Sequence, residues 1–379
     1  MSSAFCAITG KEINMKYGDF TPKDGPTEGQ LMAVNKDFIA TAWDSQWATI
    51  CILKKNNPHR VPHDVPLVHA HKENITDIRW SPYKKNLLSS ASEDGTIKFF
   101  QIPDNGVEAR IDKEVAVFTE HNKKVVLFKY HPASADLIAS TGFDKTVKVF
   151  NIDTCKSYNS TPVADNCTSL DWNYNGSLIG CACKDKHLYV LDPRQQKESL
   201  KTKGSDNAKP QKLVFVGPDN FISTGFGGGR QIKLFDMRKV ESPVNTLKID
   251  DNGNVMMPFF DYDTNIIYIP SKGSAKVCFY TFNKGNISIL TKEYSSPTDQ
   301  KMFTFEDKKN ADYNSNEMTR MYKFWGSELL FTSFYIPRKS GGIDQSLYPD
   351  TFAGESALTG DEWSSGTDKD PIKKNITQI

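Results

Sequence analysis

The fold is decided by two stretches that repeat one pattern, ITDIRWSPYKKNLLSSASEDGTIKFFQI (Ile75–Ile102) and VVLFKYHPASADLIASTGFDKTVKVFNI (Val125–Ile152). A histidine, His71 or His121, precedes each copy by the same number of residues. Further positions recur in register, first as Ser90, Asp94 and Phe100 and then as Ser140, Asp144 and Phe150. A pattern that returns at a fixed period indicates a repeated supersecondary unit, and this unit sets the architecture before any single residue is interpreted.

Each copy contains the signals of short antiparallel strands. The segment ITDIRW alternates apolar and polar residues at period two, as a strand with one buried face does. The tight-turn sequences EDG and FDK lead into the strands IKFFQI and VKVFNI. Four short strands per roughly 40–45 residues, with a histidine upstream and an aspartate in the turn, are typical of a WD-repeat blade. Such blades close into a ring, so an all-β propeller is predicted.

Weaker copies extend the pattern to seven blades. Strand-like segments precede His71 at Leu31–Trp43 and Trp47–Leu53. Further blades are predicted downstream at Thr168–Arg194, Lys212–Arg238, Met256–Phe282 and Met321–Pro337. Because a closed ring usually completes its last blade with a strand from the other terminus, we expect FCAITG (Phe5–Gly10) to close it.

Composition narrows the class of protein. The chain has 379 residues, a net charge of +1, 38% hydrophobic residues and seven cysteines. This is ordinary for a soluble globular protein, and it disfavours a surface built as a whole for nucleic acid. Neither a signal peptide nor a transmembrane run is recognisable in the sequence. An odd number of irregularly spaced cysteines favours free thiols in a reducing compartment, so a cytosolic protein is expected.

A polar C-terminal segment follows the last predicted strand. We predict a propeller over residues 1–338 and an extension over residues 339–379. Polar tails are commonly disordered. Tyr348 and Trp363 instead suggest that this one packs along one face of the ring. The segment ESALTGDEW favours one or two helical turns, although Gly360 weakens that prediction.

The His–Ser–Asp sets contain the residue types of a hydrolase triad, but repetition favours a structural role. Catalytic sites are not duplicated in successive units, whereas scaffold contacts are. We therefore expect no enzyme and no cofactor, and we expect His71, Ser90 and Asp94, and their counterparts His121, Ser140 and Asp144, to form hydrogen-bonded blade networks. Asp185 marks the equivalent turn of the next blade. WD blades normally complete this network with a tryptophan whose indole N–H donates a hydrogen bond. Phe100 and Phe150 take that position here, so we expect the networks of these two blades to hold their strands less rigidly.

Three other motifs have a structural interpretation as well. GFGGGR (Gly225–Arg230) lacks the following helix that a phosphate loop needs, so a hairpin is favoured. Cys181 and Cys183 face the same side of a strand without a second ligand pair, which favours two small core residues over a metal or redox pair. Scattered histidines, His59, His63, His69 and His71, are attributed to chance, and no metal site is predicted.

Basic residues concentrate in the turns between predicted strands. A solvated surface is the ordinary explanation for such residues. The functional alternative is a patch for an acidic partner, with these candidate contacts: Lys23, Arg60, Lys84, Lys85, Lys123 and Lys124.

Several segments together resemble coronins, the actin-binding WD-repeat proteins. Within the blades the similar segments are Ser90–Gly106, Asn175–Arg194, Ser223–Asp236 and Pro258–Gly273. Outside generic WD motifs they are EMTRMYKF (Glu317–Phe324), IPRKSGGIDQSLYPDT (Ile336–Thr351) and ALTGDEW (Ala357–Trp363). The latter three distinguish coronins from other propellers, and the resemblance runs from about Leu31 to the C-terminus.

The resemblance implies a seven-bladed propeller that binds filamentous actin and acts in filament turnover and crosslinking, motility and vesicle traffic. It also implies the cytoplasm, the actin cytoskeleton and the cell cortex as the location. The branched-actin nucleation complex and acidic phospholipid surfaces would be further partners. The alternative is a WD-repeat adaptor that recruits a different protein.

Two departures from the coronin pattern concern function. Coronins usually carry Arg and His in the first strand, whereas FCAI (Phe5–Ile8) has neither, and Lys23 is the nearest match to a basic residue in the following loop. Short coronins also continue into a linker and a coiled coil. No sustained heptad run occurs here. We therefore expect this chain to be monomeric and a longer form to oligomerise through a coiled coil.

Overall fold

The computed structural model describes residues 7–19, 22, 25, 27–43, 48–207, 209–337 and 347–378. Seven antiparallel sheets of four strands account for nearly all of its regular structure. The prediction of a seven-bladed β-propeller is therefore confirmed. No helix among the described residues is long and apolar enough to cross a membrane.

The first strand of the chain, β1 (Thr9–Tyr17), belongs to the last blade. Blades 1 to 3 are each a meander of four consecutive strands. Blade 1 contains β2 (Met32–Val34), β3 (Phe38–Trp43), β4 (Thr49–Lys54) and β5 (Leu67–His69). Blade 2 contains β6 (Ile75–Trp80), β7 (Leu87–Ser92), β8 (Ile97–Gln101) and β9 (Ala116–Phe118). Blade 3 contains β10 (Val125–Tyr130), β11 (Leu137–Gly142), β12 (Thr146–Asn151) and β13 (Lys156–Pro162).

Blades 4 to 6 follow the same order. Blade 4 contains β14 (Cys167–Trp172), β15 (Ile179–Cys183), β16 (His187–Asp192) and β17 (Lys197–Lys203). Blade 5 contains β18 (Lys212–Val216), β19 (Asn220–Phe226), β20 (Arg230–Asp236) and β21 (Asn245–Asp250). Blade 6 contains β22 (Phe259–Asp261), β23 (Ile266–Pro270), β24 (Ser274–Asn283) and β25 (Asn286–Gln300).

Blade 7 joins the two ends of the ring. It contains β26 (Met302–Phe305), β27 (Glu317–Trp325) and β28 (Glu328–Tyr335), and β1 pairs with β28 as its outer strand. The closing strand is therefore N-terminal; Thr9 and Gly10 of the predicted range belong to it, whereas Phe5 and Cys6 lie outside the described residues. Pairing along a longer segment satisfies more backbone groups of β28, which would otherwise be an open edge.

One predicted strand proved to be two. Leu31–Trp43 folds as the hairpin of β2 and β3, because Asn35 stabilises a turn between them. The Asn35 side-chain oxygen accepts hydrogen bonds from the backbone N–H groups of Asp37 and Phe38, at 2.9 and 2.6 Å. Such Asx interactions are a common way of reversing a chain, and an uninterrupted apolar pattern on both sides hides them.

The innermost strand of every blade lines a central channel, and all seven run in the same direction. The ring therefore has two different ends. We call the end where the innermost strands begin the lysine face, and the end where they finish the extension face. The β6–β7 turn lies on the extension face, whereas the β7–β8 turn and the β9–β10 loop lie on the lysine face.

The described C-terminal extension consists of β29 (Thr351–Phe352), the helix α1 (Gly360–Ser364), β30 (Lys373–Lys374) and a short 3-10 turn (Ile376–Gln378). It crosses the extension face, as predicted. The buried Tyr348 side chain donates to the Glu317 carbonyl at 2.9 Å on blade 7. At the other side of the ring, Trp363 is fully buried and donates to the Gly176 carbonyl at 2.9 Å on blade 4. The predicted boundary between residues 338 and 339 lies outside the described residues and stays a prediction.

The helical turn expected in ESALTGDEW is present as α1. Thr359 and Glu362 form a reciprocal capping box at its N-terminus, which compensates for a poor helix former at the first position. Gly360 has a packing role there. A Cβ atom on this residue would lie 2.8 Å from the Asn151 amide and 3.0 Å from the Asp136 carboxylate on blade 3. The glycine that weakens the helix therefore allows it to approach the ring closely.

Candidate functional site

The repeated histidines form hydrogen-bonded networks beneath the lysine face. His71 Nδ1 lies 3.1 Å from Asp94 Oδ2, and His71 Nε2 lies 2.9 Å from the Ser90 hydroxyl. In the next blade His121 makes the same contacts with Asp144 at 2.9 Å and Ser140 at 2.7 Å. Both imidazoles are buried. Each network ties a turn to the preceding loop, and its effect on stability stays a prediction.

The aspartates of these networks are held ionised. Burial by itself would raise the pKa of Asp144, but hydrogen bonds from His121 and Thr146 outweigh it and lower this pKa to about 2. The pKa of Asp94 is likewise lowered, because the His71 and Thr96 contacts outweigh its burial. The threonine hydroxyls donate to the other carboxylate oxygen at 2.8 and 2.6 Å. These carboxylates are largely shielded from solvent and accept hydrogen bonds within the protein. Such groups are suited to holding a turn in place and not to transferring protons.

The third copy of the turn has different partners. Asp185 accepts a hydrogen bond from the Tyr189 hydroxyl and faces His187 Nδ1 at 3.2 Å. Both partners lie on the strand that follows the turn, not upstream of it. Phe100 and Phe150 are fully buried at the usual tryptophan position, where they pack without a donor group. The weaker ties expected of their blades remain a prediction.

The structure separates the candidate basic contacts. Lys84 and Lys85 lie in the β6–β7 turn on the extension face, whereas Lys123 and Lys124 lie in the β9–β10 loop on the lysine face. Arg60 lies in the long β4–β5 loop, where it bridges to Gly18 beside the end of β1. Lys23 lies outside the described residues. These positions do not form a single patch.

Most of these candidates already have an acidic neighbour. Arg60 pairs with Asp19 and Lys84 with Asp153, while Lys85 lies 2.9 Å from Asp104 and Lys124 3.2 Å from Glu93. Lys123 is exposed, and it forms no ion pair within the described part of the chain. Exposed pairs contribute little to stability and exchange easily, so they leave these lysines available to a partner.

Blades 3 to 5 carry a lysine cluster of which only Lys123 and Lys124 were among the candidates predicted from the sequence. Its members share a position in lysine-face turns and loops or at the end of an outer strand, and they are Lys123, Lys124, Lys145, Lys184, Lys186, Lys203 and Lys209. Lys124 and Lys184 come from different blades but lie over the same Phe143 ring, at 4.2 and 5.4 Å from its centroid. Packing of consecutive blades brings these lysines together, although they are spread over almost ninety positions of sequence.

The extension face carries a groove of about 590 Å³ beside the C-terminal extension. It lies between blades 1, 2 and 7, with Ala353 and Gly354 of the extension on its border. Six basic and two acidic side chains line it: Lys36, Arg79, Lys84, Lys85, Lys129 and Lys309, against Asp37 and Asp307. The lining is therefore positive overall, although Lys84 and Lys85 also have acidic neighbours outside the groove.

A second cavity, of about 550 Å³, lies in the central channel. Within it Lys129 lies 3.6 Å from Asp171. Burial lowers the pKa of Lys129 and raises the pKa of Asp171, and each charge partly offsets the shift of the other. The channel is crossed at the lysine face by residues 27–30, where Glu28 pairs with Lys212 at 2.6 Å. At the extension face Lys373 of the extension pairs with Asp263 at 2.7 Å.

The remaining motifs are placed as structural elements. GFGGGR forms the β19–β20 hairpin, with Phe226 paired to Arg230, so the hairpin prediction was correct. Cys181 and Cys183 lie in the buried strand β15, close to Cys167 of β14. Among the described residues no group of three or more His, Cys, Asp or Glu side chains is arranged to hold a metal ion.

Comparison with known proteins agrees with this architecture. Two WD-repeat family models match parts of the chain, a WD domain with a G-beta repeat over residues 64–101 and a type of WD40 repeat over residues 331–371. Coronin-2A from Bos taurus is 30% identical over 391 residues, which cover 99% of this chain and 74% of that protein.

Solved structures are similar as well. The WD40 domain of Toxoplasma gondii coronin has a TM-score of 0.93 and 27% identity, with 98% of this chain and 97% of that one covered. A chain of the mitotic checkpoint complex, 10% identical with a TM-score of 0.64 over 86% of this chain and 94% of that one, shares the fold alone.

WD-repeat propellers of this kind are generally non-enzymatic scaffolds, in keeping with the buried, repeated histidine networks. The identity with coronin-2A extends over nearly the whole chain, including the segment that crosses the extension face. The chain therefore belongs to the coronin family of actin-binding WD-repeat proteins.

Proposed function

We propose that this protein binds the side of actin filaments through the lysine cluster of blades 3 to 5. The observation that carries the proposal is membership of the coronin family along nearly the whole chain. The position of the cluster supports the choice of surface. Lys123, Lys145, Lys184 and Lys186 are exposed, and the described C-terminal extension lies on the opposite face.

Charge complementarity supplies the physical reason. A filament presents acidic patches, and a concentrated positive surface speeds encounter and fixes orientation while it adds modest affinity. Exposed charges are screened over about 10 Å at 0.1 M salt, so binding should weaken as salt rises. Lys145 and Lys203 have acidic neighbours, Asp165 at 3.1 Å and Asp206 at 2.6 Å. These pairs are also exposed, so filament carboxylates can compete with them.

Filament co-sedimentation at increasing salt tests the proposal. The double variant Lys123→Glu with Lys184→Glu reverses two exposed charges that form no ion pair within the described residues. We expect binding to weaken about tenfold, since 1.4 kcal/mol corresponds to a factor of ten. The matched control is Lys239→Glu with Lys284→Glu, which reverses two exposed lysines in turns of the extension face. The control should bind like the unaltered protein.

The outcomes separate the function from the surface. Absence of filament binding at low salt, or binding that ignores salt, would contradict the charge-based proposal. Equal losses in both double variants would show that net charge matters and the cluster does not. All four substitutions are at exposed positions, where stability changes are usually within about 0.5 kcal/mol, so a folded protein is expected in every case.

Finer roles follow from the same proposal. Filament organisation and turnover, motility and vesicle traffic would depend on filament binding, in the cytoplasmic actin cytoskeleton and at the cell cortex. Crosslinking requires at least two filament sites in one assembly, so it would need an oligomerised form. The branched-actin nucleation complex and acidic phospholipid surfaces are proposed as further partners on the ground of the family alone.

The groove on the extension face favours a second function, that of an adaptor. Its basic lining, which includes Lys84 and Lys85, suits an acidic peptide segment of a partner protein. These lysines pair with carboxylates on separate loops, Asp153 and Asp104, so their ammonium groups are spread along the rim and do not converge on one anion. An adaptor would gain support if the folded protein ignored filaments at low salt.

A further inference from the structure

Three buried thiols meet between β14 and β15 of blade 4. Cys167 and Cys183 lie directly opposite each other in the antiparallel register, and their sulfur atoms are 3.4 Å apart. Cys181 lies two residues before Cys183 on the same side of its strand and also contacts Cys167. All three side chains are buried. The sequence predicted Cys181 and Cys183 as two small core residues, and both are buried, but it could not show that Cys167 lies on the strand opposite.

The geometry is suitable for a covalent bond. Directly opposite residues of an antiparallel pair have Cα atoms about 4.5–5.5 Å apart, which lies within the range of about 4.4–6.8 Å found for disulfides. The sulfur atoms would need to approach by about 1.4 Å to reach the usual bond length of about 2.05 Å, a distance that side-chain rotation can supply.

A path from solvent reaches the edge of this cluster. Cys183 lies on the wall of a cleft of about 30 Å³ that opens between the β15–β16 turn and the β17–β18 loop. The cleft is lined by three lysines, Lys184, Lys186 and Lys209. The cleft is large enough to admit a water-sized molecule.

We propose that Cys167 and Cys183 form a reversible disulfide when the protein meets a hydroperoxide. The Cys167 thiolate attacks one peroxide oxygen, the O–O bond breaks, and hydroxide leaves with its electron pair. The resulting sulfenic acid then reacts with the Cys183 thiol, so the S–S bond forms and water leaves. In sum, two thiols are oxidised and one hydrogen peroxide is reduced to two molecules of water. A cellular dithiol would reverse the step by exchange.

The electrostatics assign the two roles. Hydrogen bonds from Cys181 and Cys183 lower the pKa of Cys167, which is therefore the nucleophile. The same contact with Cys167, together with burial, raises the pKa of Cys183, which therefore keeps its proton until the second step. The other buried cysteines lie in different blades, Cys51 in β4 and Cys278 in β24.

Differential alkylation of the folded chain before and after hydrogen peroxide tests this proposal. The protein should carry the substitution Cys155→Ser, because Cys155 is exposed and could form bonds between molecules. We expect a cross-linked peptide pair that joins residue 167 to residue 183, a mass lower by two hydrogen atoms, and full reversal by dithiothreitol. The additional substitution Cys183→Ser should abolish the cross-link, whereas Cys181→Ser should leave it.

Two results would contradict the proposed disulfide or its assigned partner. Persistence of free thiols at Cys167 and Cys183 after peroxide treatment that oxidises exposed Cys155 in the unaltered protein would overturn the proposal. A cross-link from Cys167 to Cys181 would overturn the assignment of the partner. If Cys183→Ser perturbs folding, Cys183→Ala provides a second variant of similar volume, and circular dichroism before oxidation shows which protein is native. The experiment does not depend on filament binding.

Discussion

The two ends of the ring are held by different means. On the lysine face two turns have partners within their own blades, since His71 contacts Asp94 and His121 contacts Asp144. On the extension face one continuous segment crosses several blades, from Tyr348 on blade 7 to Trp363 on blade 4. The first arrangement leaves the surface free for solvated lysines, whereas the second covers the channel mouth.

This difference indicates that the surface residues of the two faces contribute differently to the stability of the ring. The networks of His71 and His121 lie beneath the lysine face, so we expect that face to change its charges at little structural cost. The extension packs the buried Tyr348 and Trp363 against blades 7 and 4, so we expect its residues to contribute to the stability of the whole ring. Substitutions that remove one of these contacts from each face test the difference between them.

The largest effect is expected from Trp363→Ala. The indole is fully buried against Trp172 and His131, with ring centroids 6.0 and 5.9 Å away, and it donates to the Gly176 carbonyl. Loss of a buried tryptophan typically costs about 3–5 kcal/mol. Urea denaturation should show this decrease in the free energy of unfolding. Trp363→Phe keeps most of the packing, so it should lower the free energy of unfolding clearly less. A decrease below about 1 kcal/mol for Trp363→Ala would show that the extension contributes little to the stability of the ring.

A smaller effect is expected on the other face from His71→Ala. The substitution leaves Ser90 and Asp94 without their shared partner inside the blade, and an unsatisfied buried group costs about 1–3 kcal/mol. The same denaturation measurement applies, with His63→Ala as the control, since His63 is exposed. A free energy of unfolding for His71→Ala equal to that of the control would contradict the structural role of the network.

The smallest effect concerns the step from pH 6.5 to pH 5.5, again on the extension face, since about 1.4 kcal/mol is at stake over one pH unit. Burial lowers the pKa of His131 to about 3, and the Gly176 carbonyl only partly offsets this. The unfolded chain binds a proton near pH 6.5 while the folded chain does not, so stability falls as pH decreases from about 6.5 towards 3, by up to about 1.4 kcal/mol per pH unit. Unfolding free energies of the unaltered protein and of His131→Gln across this range measure it. Parallel pH profiles for the two proteins would exclude the effect.

The carboxylates under the lysine face should respond only in more acidic solution. Because the pKa values of Asp94 and Asp144 are lowered, their contribution is complete above the unfolded value of about 3.9 and is lost as pH falls below it. The two faces are therefore distinguishable by the pH range in which each loses stability.

Local patterns were sufficient for much of the fold. The two clear copies established the blade, the turn sequences established its strands, and the aromatic residues of the tail indicated that the extension packs on the ring. The extent of the closing strand to Tyr17 was not predicted, because residues near the N-terminus have no repeat with which to align. The hairpin in Leu31–Trp43 was missed because its turn depends on one Asn35 side chain within an apolar segment.

The surfaces were less predictable from sequence. Six basic residues were chosen because they lie in turns, yet turns of adjacent strand pairs open on opposite ends of the ring. Lys84 and Lys123 therefore lie on different faces, although both are lysines in turns of neighbouring blades. Lys184, which shares the Phe143 ring with Lys124, had no sequence signal that would have associated it with that residue.

The sequence by itself determined the repeat, the number of blades and the resemblance to coronins, because periodicity and local motifs are properties of short segments. Only the tertiary structure decided which residues meet. Ring closure joined β1 to β28, packing of consecutive blades brought lysines of three blades together, the extension crossed one mouth of the channel, and the β14–β15 register placed Cys167 opposite Cys183. Contacts between distant segments depend on strand direction, register and closure, which no single stretch of sequence contains.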